Sequence, residues 1–473
     1  MFRLNRKFLV ILFVFLYVGS VLFWHHSPVK IRENNLSLTF NSMMEHLLHG
    51  RFDVDPTTVG KEGFLRDGRV YAYWGIFPAL LRLPIFLFPN GLHLDVTRLS
   101  CAIAAILMFL INLRSIDYVA SFFNSYQSWL KTLLFLAVGL SGVQVCFLCP
   151  SLYQEVCLWA LVFGMMFVYW ALRACLEVEE APKALVWMAL ASVGALLTRV
   201  SMGIGAYGAE SLLGVVVLWR CFSNSSRVSS KTMFRQLCLC GVAVALLIGG
   251  VIVTAGINFE RWGNPLTFAN YNLYLFNEEF PDRLVRTQQY GLFNIRRIPL
   301  GMVYFFFPLW VMHKGGSLFF QDEFTRLIDA AELPPSSFFL TDGFFLFLGG
   351  VFVYSIFRSA RKNQSWQITV GALAVIVGLF IPALLMLMAI SMNYRYRAEF
   401  YPLIMFTAFM GSTCIQEFSV KQQWIRPFCM VLVGVGIISS IMSLFLYDLS
   451  ELGPAQHLIS NGLLQYYLLK VGF

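Results

Sequence analysis

The sequence predicts an all-α membrane protein of about eleven transmembrane helices, with interfacial helices in two large loops, and three observations predict it. Hydrophobic residues make up 58% of the 473 positions and charged ones only 13%, where a soluble domain carries about 45–50% and about 25%. Mean hydropathy is +0.68. Apolar runs recur from Phe8 to Tyr447 with no long polar block between them. Together these exclude an ordinary soluble enzyme, a disordered chain and a nucleic-acid-binding domain, and they favour one polytopic domain over residues 1–473. The net charge of +9, from 35 basic and 26 acidic residues, is explained by membrane topology rather than by a nucleic-acid partner.

A helix needs about 20 apolar residues to cross the hydrocarbon core. The runs that qualify are Phe8 to Trp24, Val96 to Leu113, Thr132 to Cys149, Gln154 to Leu172, Ala184 to Thr198, Gly203 to Trp219, Leu237 to Asn258, Leu340 to Phe357, Trp366 to Ile390, Glu399 to Ser412 and Phe428 to Tyr447. The first follows the basic MFRLNRK but lacks a small-residue cleavage site, so it reads as an anchor and not a signal peptide. Short basic loops stay on the cytoplasmic side. Arg3, Arg6 and Lys7 therefore put the N-terminus inside, and Arg114 to Lys131, Arg173 to Lys183, Arg220 to Arg235, Arg358 to Lys362 and Lys421 to Arg426 fall on the same side.

That sidedness leaves residues 25–95 and 259–339 as the two large extracytoplasmic loops, with the C-terminus also outside. Ile298 to Met312 is apolar, but it is short and holds Pro299 and Pro308, so it predicts a helix lying in the interface. Phe77 to Phe88, broken by Pro78 and Pro84, reads the same way. The expected setting is a bacterial cytoplasmic (inner) membrane with the polar chemistry facing outside.

All seven histidines, at 25, 26, 46, 49, 93, 313 and 457, fall outside in this scheme. Within the spans Glu210 and Gln144 are the clearest polar residues, a thin inventory for a transporter. The first loop opens with Leu38, Phe40, Met43, Met44, Leu47 and Leu48 at helical spacing, with Asn41, Glu45, His46 and His49 between them, which predicts an amphipathic helix on the membrane. Gly50 is placed to stop it. Asp53 and Asp55 precede Pro56, Asp67-Gly68 predicts a turn, and Tyr71, Tyr73 and Trp74 follow. Taken alone, the pattern also fits a solvated loop with ordinary turn acids.

Most cysteines lie in apolar runs, and Cys146/Cys149 has no second pair, so neither a disulfide framework nor a redox or metal site is expected. His25-His26 and His46/His49 raise a divalent cation as a cofactor. No tight acidic cluster accompanies them, so no metal ligands are assigned and no cofactor is certain.

GRFDV, followed by DGRVYAYWGIFPALLRLP, resembles the first extracytoplasmic loop of polytopic glycosyltransferases of the GT-C superfamily. Four further places agree: Leu152-Tyr153-Gln154-Glu155 at the head of the fourth span, Leu197-Thr198-Arg199 closing the fifth, Arg261-Trp262-Gly263-Asn264-Pro265 after the seventh, and YRYRAEFYP from Tyr394 to Pro402. The resemblance runs in order over most of the chain. It implies a GT-C-like fold and transfer of a sugar from a polyprenyl-phosphate donor to a glycan, lipid or protein acceptor at the extracytoplasmic face.

In that reading Arg199, Arg395 and Arg397 grip the donor phosphate, since a lipid phosphate needs cations at headgroup depth. An inverting transfer needs one carboxylate to take the acceptor proton. Asp53 is the first candidate, then Asp55 and Glu155. Tyr71, Tyr73, Trp74, Tyr153 and Asn264 are the sugar- or acceptor-binding candidates. Many superfamily members carry an Asp just after the first span, where this chain reads Lys30-Ile31-Arg32-Glu33-Asn34-Asn35, so Glu33 is the one acid available there. No soluble C-terminal domain of the kind some relatives have is expected. The rival readings are a lipid or polysaccharide flippase or permease, a polysaccharide polymerase, and a non-catalytic assembly subunit. A transporter predicts internal repeats, and none is visible between the halves.

Overall fold

The computed structural model describes residues 29–33, 35–122, 127–142, 150–223, 229–307, 313–314, 317–318, 326–331, 336–360, 366–419 and 423–448, with a few positions between 8 and 19. Most of the predicted first span, Gln144, the Cys146/Cys149 pair and the histidines at 25, 26 and 457 fall outside these residues.

Thirteen helices of eight or more residues stand among the described residues: α1 (Thr39–Leu48), α2 (Thr97–Phe122), α3 (Ser128–Leu140), α4 (Leu152–Leu176), α5 (Ala181–Thr198), α6 (Val200–Ser223), α7 (Ser230–Trp262), α8 (Pro281–Tyr290), α9 (Ile298–Phe306), α10 (Gly343–Ala360), α11 (Trp366–Met388), α12 (Tyr401–Ser419) and α13 (Ile425–Asp448). Seven of them, α2, α4, α5, α6, α7, α11 and α13, are long and apolar enough to cross a membrane. The predicted third, eighth and tenth spans are apolar helices too, but shorter, as α3, α10 and α12. The chain is an all-α integral membrane protein. Among the described residues α9 has nine residues and rises about 14 Å at 1.5 Å per residue.

The innermost helix is α4, packed against α2, α5 and α12. Helices in lipid gain little from apolar contact alone, so close backbone approach at small residues holds them together. A Cβ on Gly378 of α11 would fall 2.0 Å from the Ala209 nitrogen of α6, and one on Gly411 of α12 would fall 1.9 Å from the Leu348 carbonyl of α10. Both contacts require the bare backbone.

The first large loop folds onto one end of this bundle. Strands β1 (Lys30–Ile31) and β4 (Leu94–Asp95) pair antiparallel and bring the loop's ends together. Strands β2 (Phe64–Arg66) and β3 (Arg69–Tyr71) form a hairpin. Its turn is the predicted Asp67-Gly68, both with positive φ, 51° and 74°, the conformation a two-residue hairpin favours. Gly50, at φ 71°, follows the end of α1 as expected.

One expectation fails. The apolar face of α1 does not lie open to lipid, because Phe40, Met43 and Met44 are buried against Trp74, Leu152 and Val156. The helix is a lid on the protein's own core. At the other end of the loop, a Cβ on Gly75 would lie 2.2 Å from the Leu197 carbonyl oxygen and 2.5 Å from that of Thr198. The loop thus rests on the last carbonyls of α5 with no room for a side chain. Gly75→Val should lift it, and limited proteolysis would show faster cleavage between α1 and α2 than in the parent chain.

Candidate functional site

Three inward-facing ion pairs tie the loop-bearing end together. Arg82 donates from Nη2 to Glu155 Oε2 at 2.6 Å and from Nε to Asn41 Oδ1 at 3.1 Å. Arg397 donates to Asp342 Oδ2 at 2.6 Å and to Thr341 Oγ1 at 2.5 Å. Arg199 pairs with Glu399, whose Oε1 also accepts from Ser201 at 2.7 Å. Arg82, Glu155, Asp342, Arg397 and Glu399 are essentially sealed from solvent, where a charge must be paired to be tolerated. Glu155 and Arg397, both expected to act on substrate, are thus each held in a buried ion pair.

The predicted loop acids separate in the same way. Asp53 is 5% exposed, receives Arg51 at 2.5 Å and 3.1 Å, and lies 3.2 Å from His46 Nδ1. Burial alone would push its carboxyl up, but the Arg51 hydrogen bonds and His46 outweigh it and hold the group below the usual carboxylate range. A lowered acid is a weaker base. Since the folded value is depressed, this ion cluster contributes stability above about pH 4 and loses it as the pH falls through the lowered value. Asp53→Asn should thus increase protease sensitivity of the loop at pH 7, and the difference from the parent should vanish in acid.

Asp55 caps the short turn Pro56–Val59, accepting from the Thr57 amide at 3.0 Å and its hydroxyl at 2.9 Å. Glu33 is exposed on the strand side of the loop. Among the described residues no group of three or more His, Cys, Asp or Glu gathers to hold a metal ion. His49 donates to the Glu45 carbonyl, 2.9 Å away, while His46 faces Asp53.

The residues that do converge centre on Glu62, which no motif in the sequence marks. It ends the turn Gly60–Glu62 and lies half-buried between two phenols. Tyr153, in the first turn of α4, donates to Oε1 at 2.5 Å, and Tyr274, from the second large loop, donates to Oε2 at 2.7 Å. Burial, and then the carboxylate beside it, hold the Tyr274 phenol above its ordinary value, so it remains a donor.

Cations lie over the rings of this cluster. Arg395 stands 4.5 Å from the Tyr153 centroid and 5.5 Å from that of Tyr396, Arg199 is 5.0 Å from Tyr396, and Arg283 is 4.8 Å from Tyr274. Arg283 is also held by Asp329 at 2.7 Å. A guanidinium stacked on a ring makes its hydrogen bonds and ion pairs through its in-plane N–H groups.

Of the predicted aromatic residues, Tyr73 and Tyr153 are half-buried at this cluster, whereas Tyr71 and Trp74 are buried beneath it. Trp74 packs on Tyr73 at 4.6 Å and Tyr153 at 5.7 Å, and Tyr71 on Trp262 at 6.1 Å. Asn264 is exposed in the turn after α7, where its Oδ1 accepts from the Leu266 amide at 2.9 Å. A groove between α5 and α7, lined by Leu190, Val193, Leu197, Val242, Leu246 and Val253 among others, is entirely apolar along these side chains. Its residue Leu197 lies two positions before Arg199.

No family model matches the chain, and no curated protein matches it. Solved structures of the Archaeoglobus fulgidus oligosaccharyltransferase are similar in outline. The apo crystal structure is 13% identical, over 93% of this chain and 55% of that one, at a TM-score of 0.46. The archaeal oligosaccharyltransferase AglB from the same organism, in complex with an inhibitory peptide and a dolichol-phosphate, is 12% identical over 93% and 56%, at 0.48. A complex with Zn and sulfate is 13% identical over 92% and 53%, at 0.46. The chain spans about half the length of the solved structures it matches.

Proposed function

We propose that the loop-bearing end transfers a sugar from a polyprenyl-phosphate-linked donor to an acceptor hydroxyl or amide at the extracytoplasmic face, with inversion. The observation that carries this reading is the placement of one half-buried carboxylate, Glu62, between two phenol donors, with Arg199 and Arg395 over the neighbouring rings. The apolar groove ending at Leu197 supports a lipid-linked donor, since a tail lying there brings its phosphate toward Arg199 and Arg395.

In this reading the acceptor attacks the anomeric carbon while its proton passes to Glu62. The bond from that carbon to the lipid phosphate breaks, its electron pair goes to the phosphate oxygen, and the two guanidinium groups stabilise the charge that develops there. Asp53 and Asp55 hold the loop. Arg397 and Glu155 hold the helix ends on which Arg395 and Tyr153 stand.

The test uses the full chain in liposomes supplied with a polyprenyl-phosphate sugar. Arg395→Lys keeps the charge but loses the planar fork, and is expected to raise the KM for donor by about tenfold, the loss of about one charge-assisted hydrogen bond. Unchanged donor kinetics would remove the phosphate role. Passage of intact donor across the bilayer without sugar transfer would favour the flippase reading, and neither event would favour a non-catalytic subunit. Sidedness is tested separately: Ser359→Cys should resist an impermeant thiol reagent added to whole cells, and labelling from outside would invert the scheme.

A further inference from the structure

The geometry points to a second subsite, a hollow on the second large loop that takes an uncharged saccharide. This inference rests on the glycosyl-transfer reading and names its acceptor as a neutral glycan. The hollow has a volume of about 490 Å³, within the usual range for small-molecule sites, and lies between residues 267–272 and the end of α8. Its polar walls are Thr267, Asn270, Asn272, Thr287 and Gln288, with Tyr271 beside them.

Among the described residues no carboxylate or cation lines it. A charged ligand would go uncompensated there, and a lipid tail would lose the water that amides hold. A saccharide matches both features, because its hydroxyls donate and accept from one atom and each amide side chain offers both complements.

Two of the side chains are already oriented. Asn270 Oδ1 accepts from the Asn272 amide at 3.2 Å, which leaves its NH2 group to donate. Thr287 donates to the Arg283 carbonyl at 2.8 Å, which leaves its oxygen to accept. Asn272 and Gln288 are exposed at the mouth. The hollow also adjoins the Glu62 cluster. Tyr271 packs edge-on against Phe64 at 5.4 Å and Tyr274 at 5.6 Å, and Tyr274 is the phenol that donates to Glu62. One aromatic wall is therefore shared by the hollow and the carboxylate.

The test measures binding of maltotriose, of the trimer of N-acetylglucosamine and of trigalacturonate to the full chain in nanodiscs, without donor. At least one neutral trisaccharide should bind, and Asn272→Ala with Gln288→Ala should weaken it by about 20-fold, as expected for two lost hydrogen bonds. Both positions are exposed, and an unchanged melting temperature checks that the fold persists. Preference for trigalacturonate, absence of binding by both neutral sugars, or binding indifferent to the double substitution would overturn the inference. Release of sugar from the lipid donor to water by the unaltered chain tests the transfer reading by itself. A chain that binds the trisaccharide yet releases no sugar retains the hollow's role as a saccharide site and loses the catalytic one.

Discussion

Glu62→Gln is expected to lower sugar transfer by about 10²–10⁴-fold, the contribution of a positioned general base, with little change in expression or melting temperature. Gln is nearly isosteric, and its amide oxygen still accepts from one phenol, so packing around Tyr153 and Tyr274 is preserved while the proton-accepting oxygen is lost. Asp53→Asn is the paired control. Its carboxylate is held by Arg51 and His46, so its loss should loosen the loop while leaving most of the transfer rate at neutral pH. Rates with a radiolabelled lipid-linked sugar in liposomes would decide. The reverse pattern, with Asp53→Asn inactive and Glu62→Gln active, would return the base to Asp53.

The second large effect concerns stability. Glu155→Leu leaves Arg82, 1% exposed, as a buried cation without its carboxylate, a change that costs about 3–5 kcal/mol in comparable cases. Adding Arg82→Met removes the stranded charge, and the double variant should recover most of the loss, because a well-packed apolar pair often replaces a buried ion pair at no cost. Unfolding in mixed SDS and detergent micelles, run on the two single variants and the double, gives the coupling. A role for Glu155 in catalysis alone predicts no such loss and no such recovery.

Much of the fold is legible in the sequence because membrane helices announce themselves by length and apolarity. The Asp67-Gly68 turn and the stop at Gly50 both follow from local chemistry. The site is less legible, since its partners are far apart in the chain. Glu62 gains its setting from Tyr153 and Tyr274, 91 and 212 residues away, and nothing local distinguishes it from Glu45 or Glu33 apart from a glycine on either side of its turn.

Arg395 and Arg397 look equivalent in YRYRAE, but the segment Tyr394–Glu399 is a 3₁₀ helix. With three residues per turn, positions two apart are rotated by about 240° and so point about 120° apart. Arg397 is thereby turned inward to Asp342 while Arg395 lies over Tyr153. The burial of α1 is hidden for a related reason: an amphipathic pattern says which face is apolar and not whether lipid or protein covers it.

The pairing of Arg199 with Glu399 has a consequence for synthesis. The two residues are separated by 200 positions, so at about 5–20 residues per second the arginine is made roughly 10–40 s before its carboxylate exists. Throughout that interval the helix hairpin of α5 and α6 must sit in or at the bilayer with a cation at its apex and no counter-ion from the finished protein. Lipid headgroups or the insertion machinery have to shelter it until α12 arrives. Ribosome-bound chains stopped before residue 399 should therefore be extracted from membranes by alkaline carbonate more readily than chains that extend past it.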